Sequence, residues 1–332
     1  MIRIGINGFG RIGRLALRAV DARENVEVVA INDVLSAEHL AYLLKYDSVH
    51  GKFKGTILVE KKYLIVNGKP IRITTQKNPE NIAWDKVGVD VVIESSGYFT
   101  TKMEAGKHLT AGSKKVVISA PSSDAPMFVM GVNHTKLKYS DTIFSNASCT
   151  TNCIAPIAKV LNDHFKIVNG FITTIHCTTS SQNTVDGVSD NWRRGRAALN
   201  NLIPTSTSAS IALPLIIPEL KGKILAMAVR VPVATVSLID FTVKLKKKTT
   251  YCYIKEIMKK AAENDLQGIL GYTEDEVVSR DFVSDPRTSV FDAKAGLALN
   301  DNFFKIIAWY DNEYGYATKL IDLIEYSSSL KK

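Results

Sequence analysis

Residues 8–13 read Gly-Phe-Gly-Arg-Ile-Gly, and the segments on either side of this stretch decide the fold of the N-terminal half. Residues 2–7 are rich in Ile and alternate as in a strand, residues 14–20 have a helical pattern, and residues 26–31 form another apolar strand. A G-x-G-x-x-G turn between a strand and a helix is typical of a dinucleotide-binding βαβ unit. The sequence therefore predicts an α/β domain of Rossmann type.

Each glycine of this turn has a separate use in holding a pyrophosphate. Gly8 permits the tight turn, Gly10 lets the backbone approach the phosphates, and Gly13 lets helix and strand pack closely. Asp33 lies 20 residues beyond Gly13, where a carboxylate accepts hydrogen bonds from ribose hydroxyls and repels a 2′-phosphate. The sequence favours NAD over NADP as the cofactor, and a glycine-rich turn without a ligand is the simpler alternative.

Two further apolar segments, residues 89–94 and 115–119, have the pattern of buried parallel strands. Each is followed by small polar residues. A doubly wound sheet holds its ligand at the carboxyl ends of its strands. Ser96 and Ser119 are therefore candidate neighbours of the cofactor, although Ser after a strand is also ordinary loop chemistry.

The pattern changes in the second half, where residues 171–176, 225–231, 235–243 and 304–310 read as long strands with few intervening helices. Strands in this arrangement predict an α+β domain with a mostly antiparallel sheet. We expect an NAD-binding domain over residues 1–148 and a catalytic domain over 149–312. An amphipathic helix over residues 313–330 is expected to return to the first domain.

Residues 145–153 read Ser-Asn-Ala-Ser-Cys-Thr-Thr-Asn-Cys, between a strand-like segment and a helical one. Cys149 should therefore lie near a helix N-terminus, where unpaired N–H groups and the helix dipole favour a thiolate. The alternative is a small buried cysteine, which is common. His176 and Arg230 each end a predicted strand, and each alone is weak evidence. Together with Cys149 they supply a nucleophile, a base and a clamp for an anion.

The composition of the 332-residue chain is that of an ordinary globular protein. Its four cysteines form neither a disulfide framework nor a pair with metal-site spacing, which predicts a reducing, cytoplasmic compartment and no metal. No apolar run is long enough for a membrane span. The net charge of +9 is compatible with nucleic acid or anionic lipid, an anionic cofactor, or a solvated surface.

Four motifs together resemble one family. They are Ile-Asn-Gly-Phe-Gly-Arg-Ile-Gly-Arg at 6–14, Ala-Ser-Cys-Thr-Thr-Asn-Cys at 147–153, Arg-Val-Pro at 230–232 and Trp-Tyr-Asp-Asn-Glu-Tyr-Gly-Tyr at 309–316. In this combination and order the chain resembles the phosphorylating glyceraldehyde-3-phosphate dehydrogenases. The resemblance implies a homotetramer that oxidises glyceraldehyde 3-phosphate with NAD and inorganic phosphate.

The resemblance also implies roles for individual residues. Cys149 is the implied nucleophile and His176 the implied base. Thr179 and Arg230 match the site of the substrate's phosphate, and Ser148, Thr150, Thr207 and Ser208 match the site of the attacking phosphate. The implied cofactor contacts, beside the three glycines, Ser96 and Asp33, are Arg11, Ile12, Lys77, Ser119 and Asn312.

This chain departs from the family pattern at Ser208 and Ile211, where Gly and Lys are usual, and at Lys77, where Arg is common. Two alternative functions remain. One is a related sugar-phosphate dehydrogenase, acting for example on erythrose 4-phosphate, that hydrolyses its thioester. The other is a protein that binds RNA or a host surface through its positive charge.

Overall fold

The chain forms two sheets, each at the centre of its own compact unit. A computed structural model describes residues 1–180 and 182–331. The first unit contains Met1–Phe128, His134–Ala147 and the chain from Ala317 onward, and the second contains Val129–Asn133 and Ser148–Tyr316. The chain therefore leaves the first unit and enters the second directly before Cys149.

The first unit has an eight-stranded sheet with strand order β3-β4-β5-β2-β1-β6-β7-β8. Its elements are β1 (Ile2–Asn7), α1 (Arg11–Asp21), β2 (Val26–Asn32), α2 (Ala37–Lys45), β3 (Ile57–Glu60), β4 (Tyr63–Val66), β5 (Lys69–Thr74), β6 (Val91–Glu94), α3 (Lys102–Thr110), β7 (Lys115–Ile118) and β8 (Ile143–Ser145). The strands from β5 through β8 in this order pair in parallel, and β3, β4 and β5 add an antiparallel edge. The predicted Rossmann-type α/β fold is confirmed.

The second unit has a seven-stranded sheet with strand order β10-β11-β9-β12-β15-β14-β13. Its elements are α4 (Cys149–Phe165), β9 (Ile167–His176), β10 (Ile203–Ser206), α5 (Ala209–Ile216), β11 (Ile224–Arg230), β12 (Ser237–Leu245), α6 (Tyr251–Glu263), β13 (Leu270–Thr273), β14 (Ser289–Asn300) and β15 (Phe303–Tyr310), followed by α7 (Tyr314–Ser329). Only the β9–β11 and β13–β14 pairs are parallel. The predicted α+β unit with a mostly antiparallel sheet is confirmed.

Local backbone geometry sets the boundaries of two helices. α2 ends at Lys45, because Tyr46 is extended and the Asp47 carboxylate accepts hydrogen bonds from the N–H groups of Val49 and His50. α4 begins at Cys149, inside the segment 145–153 that was expected to precede the helix. Cys149 is thus the first residue of a helix rather than part of the turn before it.

The C-terminal helix α7 completes the core of the first unit. Leu320, Ile321, Leu323 and Ile324 are fully buried. Arg23, which follows α1, binds both Asp322 and Glu325 on this helix. From Ala317 onward the helix therefore belongs to the first unit, through apolar burial and through partly buried ion pairs.

We expect Leu320→Ala to lower the free energy of unfolding by about 2–5 kcal/mol, because it leaves a cavity in a closed core. Leu58 on β3 is 60% exposed, so Leu58→Ala is the matched control, with an expected change of about 0.5 kcal/mol or less. Urea unfolding followed by circular dichroism measures both. Equal effects of the two substitutions would contradict the assignment of α7 to this core.

Candidate active site

Cys149 begins α4, and the preceding residue caps the helix. The Ser148 hydroxyl accepts a hydrogen bond from the N–H of Thr151 at 3.1 Å. Cys149 itself is partly buried and has no disulfide partner. The sequence forms this start because Ser is a preferred N-cap residue, and the first N–H groups of the helix are left without intrahelical partners. The thiol therefore lies at the positive end of a 17-residue helix.

His176 and Arg230 are neighbours because the parallel strands β9 and β11 pair in register and end together. The Nε2 atom of His176 lies 3.6 Å from the Cys149 sulfur. The Nδ1 atom of His176 lies 2.9 Å from the Cys177 carbonyl oxygen and also contacts the Arg230 guanidinium. Arg230 further donates to the Cys177 carbonyl at 3.0 Å. A thiol, an imidazole and a guanidinium thus form one continuous group.

Burial controls the ionisation of the thiol and the imidazole. Burial raises the pKa of the Cys149 thiol, and the charge of Arg230 with the N–H and hydroxyl groups of Thr150 opposes this rise. Burial, followed by the charge of Arg230, lowers the pKa of His176 to about 3. The helix N-terminus and Arg230 favour the thiolate, whereas burial favours the neutral thiol.

A buried phenol supports the residue next to Cys149. The Tyr310 hydroxyl lies 3.0 Å from the Thr150 hydroxyl and 2.8 Å from that of Thr174. The ring of Tyr310 also packs edge-on against His176, with centroids 6.0 Å apart. Burial raises the pKa of Tyr310 well above its usual value, so it remains a neutral hydrogen-bonding group.

The other predicted phosphate-binding residues lie on two segments of the second unit. Thr179 lies a few residues after β9, and its N–H donates to the Gln182 side chain at 3.2 Å. Thr207 and Ser208 lie between β10 and α5, where the Thr207 hydroxyl accepts from the Ala209 N–H. Ser208 has φ −68° and ψ −10°, so serine needs no left-handed backbone at this position.

Arg194 is a cation that sequence reasoning did not single out. Its Nε donates to the Thr205 hydroxyl at 2.8 Å, and its Nη2 donates to the Ser206 carbonyl at 3.3 Å. Burial is the main cause of a lowered pKa of Arg230, and the charge of Arg194 contributes to it. The signal was the run of three arginines within residues 192–196, which sequence alone could not connect to the strand before Thr207.

Asn312 lies in the second unit with its carboxamide held in one orientation. Its Oδ1 accepts from the Cys177 thiol at 3.1 Å and from the Ser237 hydroxyl at 3.2 Å. Because both donors face the oxygen, the amide NH₂ group is the end directed at other acceptors. Cys177 and Ser237 were not among the predicted site residues.

The first unit contains a cavity of about 550 Å³ at the carboxyl ends of its parallel strands. Five of the predicted cofactor residues line it: Gly8, Gly10, Asp33, Lys77 and Ser96. Four others, Arg11, Ile12, Gly13 and Ser119, are not part of its lining. Arg11 instead pairs with Asp47.

The glycines of the turn fit a pyrophosphate. Gly8 has φ +88°, and a side chain there would lie 2.5 Å from the Ser96 nitrogen. A side chain at Gly13 would lie 2.3 Å from the Gly8 carbonyl oxygen, whereas one at Gly10 would meet nothing within 4 Å. Gly10 therefore leaves open space at the N-terminus of α1, where an anion is favoured.

Asp33 fits the ribose end of a dinucleotide. Its Oδ2 accepts from the Phe9 N–H at 2.7 Å and its Oδ1 accepts from the Leu35 N–H at 3.1 Å. These bonds fix the carboxylate in the cavity wall next to Val34, and remaining lone pairs can accept from ribose hydroxyls. The acceptor oxygens of Asp33 and the open space at Gly10 both match NAD.

A dinucleotide cavity in one unit and a thiol–imidazole pair in the other define an NAD-dependent dehydrogenase of the thiol-dependent class. Comparison with known sequences then identifies the family. Residues 2–102 match the family described as "Glyceraldehyde 3-phosphate dehydrogenase, NAD binding domain", and residues 148–312 match "Glyceraldehyde 3-phosphate dehydrogenase, C-terminal domain". The chain belongs to the glyceraldehyde-3-phosphate dehydrogenase family, and its cofactor is NAD.

Relatives match the chain along nearly its whole length. The glyceraldehyde-3-phosphate dehydrogenase of Salmonella typhimurium and the glyceraldehyde-3-phosphate dehydrogenase A of Escherichia coli are each 57% identical to it over 329 residues. The glyceraldehyde-3-phosphate dehydrogenase of Shimwellia blattae is 56% identical. Each alignment covers 98% of this chain and 99% of the relative. Within the described part of the chain, no helix has the length and apolar character needed to span a membrane.

We expect Gly10→Ala to weaken NAD binding by about tenfold or more, because the added methyl group occupies the space left for the pyrophosphate. The thermal unfolding temperature should not change, since the methyl group meets no protein atom. Gly106→Ala on α3 is the control, because its methyl group makes only an ordinary contact with Ile143. Titration calorimetry with NAD measures the difference, and equal affinities would exclude Gly10 from the cofactor site.

Proposed function

We propose that this chain catalyses the phosphorylating oxidation of D-glyceraldehyde 3-phosphate to 1,3-bisphosphoglycerate with reduction of NAD. The reaction belongs to glycolysis and gluconeogenesis. The observation that carries the proposal is the Cys149 sulfur at the start of α4, 3.6 Å from the His176 imidazole. A thiol in this position can form a covalent intermediate with an aldehyde.

Cys149 and His176 carry out the covalent steps. The sulfur attacks the aldehyde carbon to give a hemithioacetal, and the thiol proton passes to the aldehyde oxygen, either directly or through His176. Nε2 of His176 then takes the hydroxyl proton as the carbon loses a hydride, which leaves a thioester on Cys149. NAD supplies the hydride acceptor when it is bound, held by Gly8, Gly10, Asp33, Lys77 and Ser96.

Arg230 connects substrate binding to the ionisation of His176. Its guanidinium contacts Nδ1 of His176, and after burial its positive charge is the second cause of the lowered pKa of that imidazole. A substrate phosphate bound to Arg230, with Thr179, compensates this charge. His176 then accepts a proton more readily, so the base becomes active when the correct substrate is bound.

The attacking phosphate completes the reaction. Inorganic phosphate attacks the thioester carbon, the carbon–sulfur bond breaks, and the acyl phosphate leaves a thiolate that regains a proton. We assign this phosphate to Ser148, Thr150, Thr207 and Ser208. The right-handed backbone of Ser208 supports the assignment, because the departure from glycine introduces no strain. Ile211 is 73% exposed, so its side chain lies in solvent where a lysine is usual.

We also propose the organisation that goes with this activity. Residues 1–148 with helix 313–330 would be the NAD-binding domain, and residues 149–312 the catalytic domain, with Asn312 orienting the nicotinamide carboxamide. The protein would be a cytoplasmic homotetramer. The paired residues Phe171 and Leu225, on adjacent strands, are 66% and 63% exposed, which supports burial of this face against a second copy.

Phosphate dependence separates this function from a dehydrogenase that hydrolyses its thioester. We expect NADH formation from glyceraldehyde 3-phosphate to require phosphate or arsenate, since water alone should release the thioester slowly. Cys149→Ser should abolish turnover and leave NAD affinity nearly unchanged. Absorbance at 340 nm measures the first result, and calorimetry the second. Turnover independent of both anions would favour the hydrolytic alternative, and activity of Cys149→Ser would remove the nucleophile assignment.

We expect Arg230→Gln to lower kcat/KM for glyceraldehyde 3-phosphate by about a hundredfold, because a charge-assisted phosphate contact is lost. The affinity for NAD should not change. Arg280→Gln is the control, because Arg280 is an exposed arginine of the same unit. Steady-state kinetics with glyceraldehyde 3-phosphate and with unphosphorylated glyceraldehyde test the role, since the variant should lose its preference for the phosphorylated substrate. A preserved preference would contradict it.

A further inference from the structure

A buried carboxylate that the reaction does not use is hydrogen-bonded to two residues that line the dinucleotide cavity. Glu94 is the last residue of β6 and is 2% exposed. Its Oε2 lies 2.6 Å from the Asn7 amide nitrogen and 2.8 Å from Nε2 of His108. Its Oε1 accepts from the N–H of Ser96 at 2.8 Å and from the Ser96 hydroxyl. Both carboxylate oxygens are therefore occupied by protein groups.

The direction of the hydrogen bonds from His108 is fixed by a tryptophan. Trp84 is fully buried, and its indole nitrogen donates to Nδ1 of His108 at 3.1 Å. An indole N–H can only donate, so Nδ1 of His108 must accept. The ring proton is therefore on Nε2, which donates to Glu94.

The direction of the bonds from Asn7 is fixed by the backbone. The N–H of Gln76 donates to Oδ1 of Asn32 at 2.8 Å, so the Asn32 amide group must face the other way. That group donates to the Gln76 carbonyl and to Oδ1 of Asn7, both at 2.8 Å. The Asn7 nitrogen must then donate to Glu94. Three donor directions converge on one side chain, and a carboxylate, which only accepts, satisfies all of them.

This hydrogen-bond network extends to residues that line the cofactor cavity. Gly8 approaches the backbone of Ser96 so closely that an added carbon would lie 2.5 Å from its nitrogen. The hydroxyl of Ser95 donates to the Gly8 carbonyl at 2.7 Å. On the other side, Asn32 holds Gln76, which lines the same cavity next to Asp33 and Lys77. Glu94 thus connects the glycine turn with the wall that carries the ribose acceptor.

We propose that Glu94, oriented by His108, is a positioning residue for NAD. It acts through Ser96 and Asn7 and sets the shape of the cavity without touching the cofactor. The inference rests on NAD as the cofactor and is independent of which aldehyde the chain oxidises.

Glu94→Gln tests the proposal because it keeps the size of the side chain and replaces one acceptor with a donor. The amide would meet Asn7, His108 or Ser96, each of which donates, so the cavity must rearrange. We expect the dissociation constant for NAD to rise by about fivefold or more, with kcat at saturating NAD within about twofold of the parent. Glu27→Gln is the matched control, since Glu27 is a partly exposed carboxylate on β2 paired with Arg3.

Two substitutions at His108 provide an independent test if Glu94→Gln does not fold. His108→Gln can still accept from Trp84 and donate to Glu94, and should retain NAD affinity. His108→Leu removes both bonds at similar volume, and should weaken NAD binding as Glu94→Gln does. Calorimetric titration of NAD without substrate measures all variants, so the result does not depend on the proposed reaction.

The following results would overturn the proposal. A rise in the dissociation constant smaller than fivefold for Glu94→Gln, or for His108→Leu where Glu94→Gln does not fold, would mean that the network does not position NAD. A fall in kcat as large as the loss of affinity would indicate a general structural defect, and so would equal effects of His108→Gln and His108→Leu. Either result rejects a positioning role.

Discussion

The register of parallel strands is the constraint on which both sites depend. Neighbouring parallel strands that end together bring their last side chains to one edge of the sheet. In the first unit this register pairs Asn7 with Asn32 on β2 and with Glu94 on β6. In the second unit it pairs His176 on β9 with Arg230 on β11, although most of that sheet is antiparallel. Each site is therefore built from residues that are distant in sequence but adjacent at strand ends.

Much of the fold could be predicted because its strongest signals are local. The glycine turn at residues 8–13 and the amphipathic helix α7 each carry their pattern within a short window. β14 was missed because Asp292, Lys294 and Gly296 interrupt its apolar pattern, and its register with β15 shifts between Asp292 and Leu297. An irregular strand of this kind is held by its neighbours, which a single sequence does not reveal.

The part of the candidate site that could be predicted consists of residues marked by their type, their motif or their place at a strand end. Cys149 and Arg230 lie in motifs and His176 ends a predicted strand, and the structure brings these three together. Arg194, Tyr310 and Ser237 were not found, because their contribution is a contact made across the sheet or from a long loop. The helix start, whose N–H groups and dipole favour a Cys149 thiolate, could be predicted from the sequence, whereas the degree of burial that opposes this effect is a tertiary property.

The side chains of Glu94 and Cys149 differ in how completely hydrogen bonds satisfy them, and this difference explains what each can do. Glu94 receives donors on both oxygens, in directions fixed by a backbone N–H at one end and an indole at the other. A side chain with these partners is held in a single orientation, and it can therefore set the shape of the cavity next to it. Cys149 has an imidazole at 3.6 Å, an N–H-rich helix start and a nearby guanidinium, but no partner that fixes its proton. Its charge state is therefore set by the opposing effects of burial and of these positive groups.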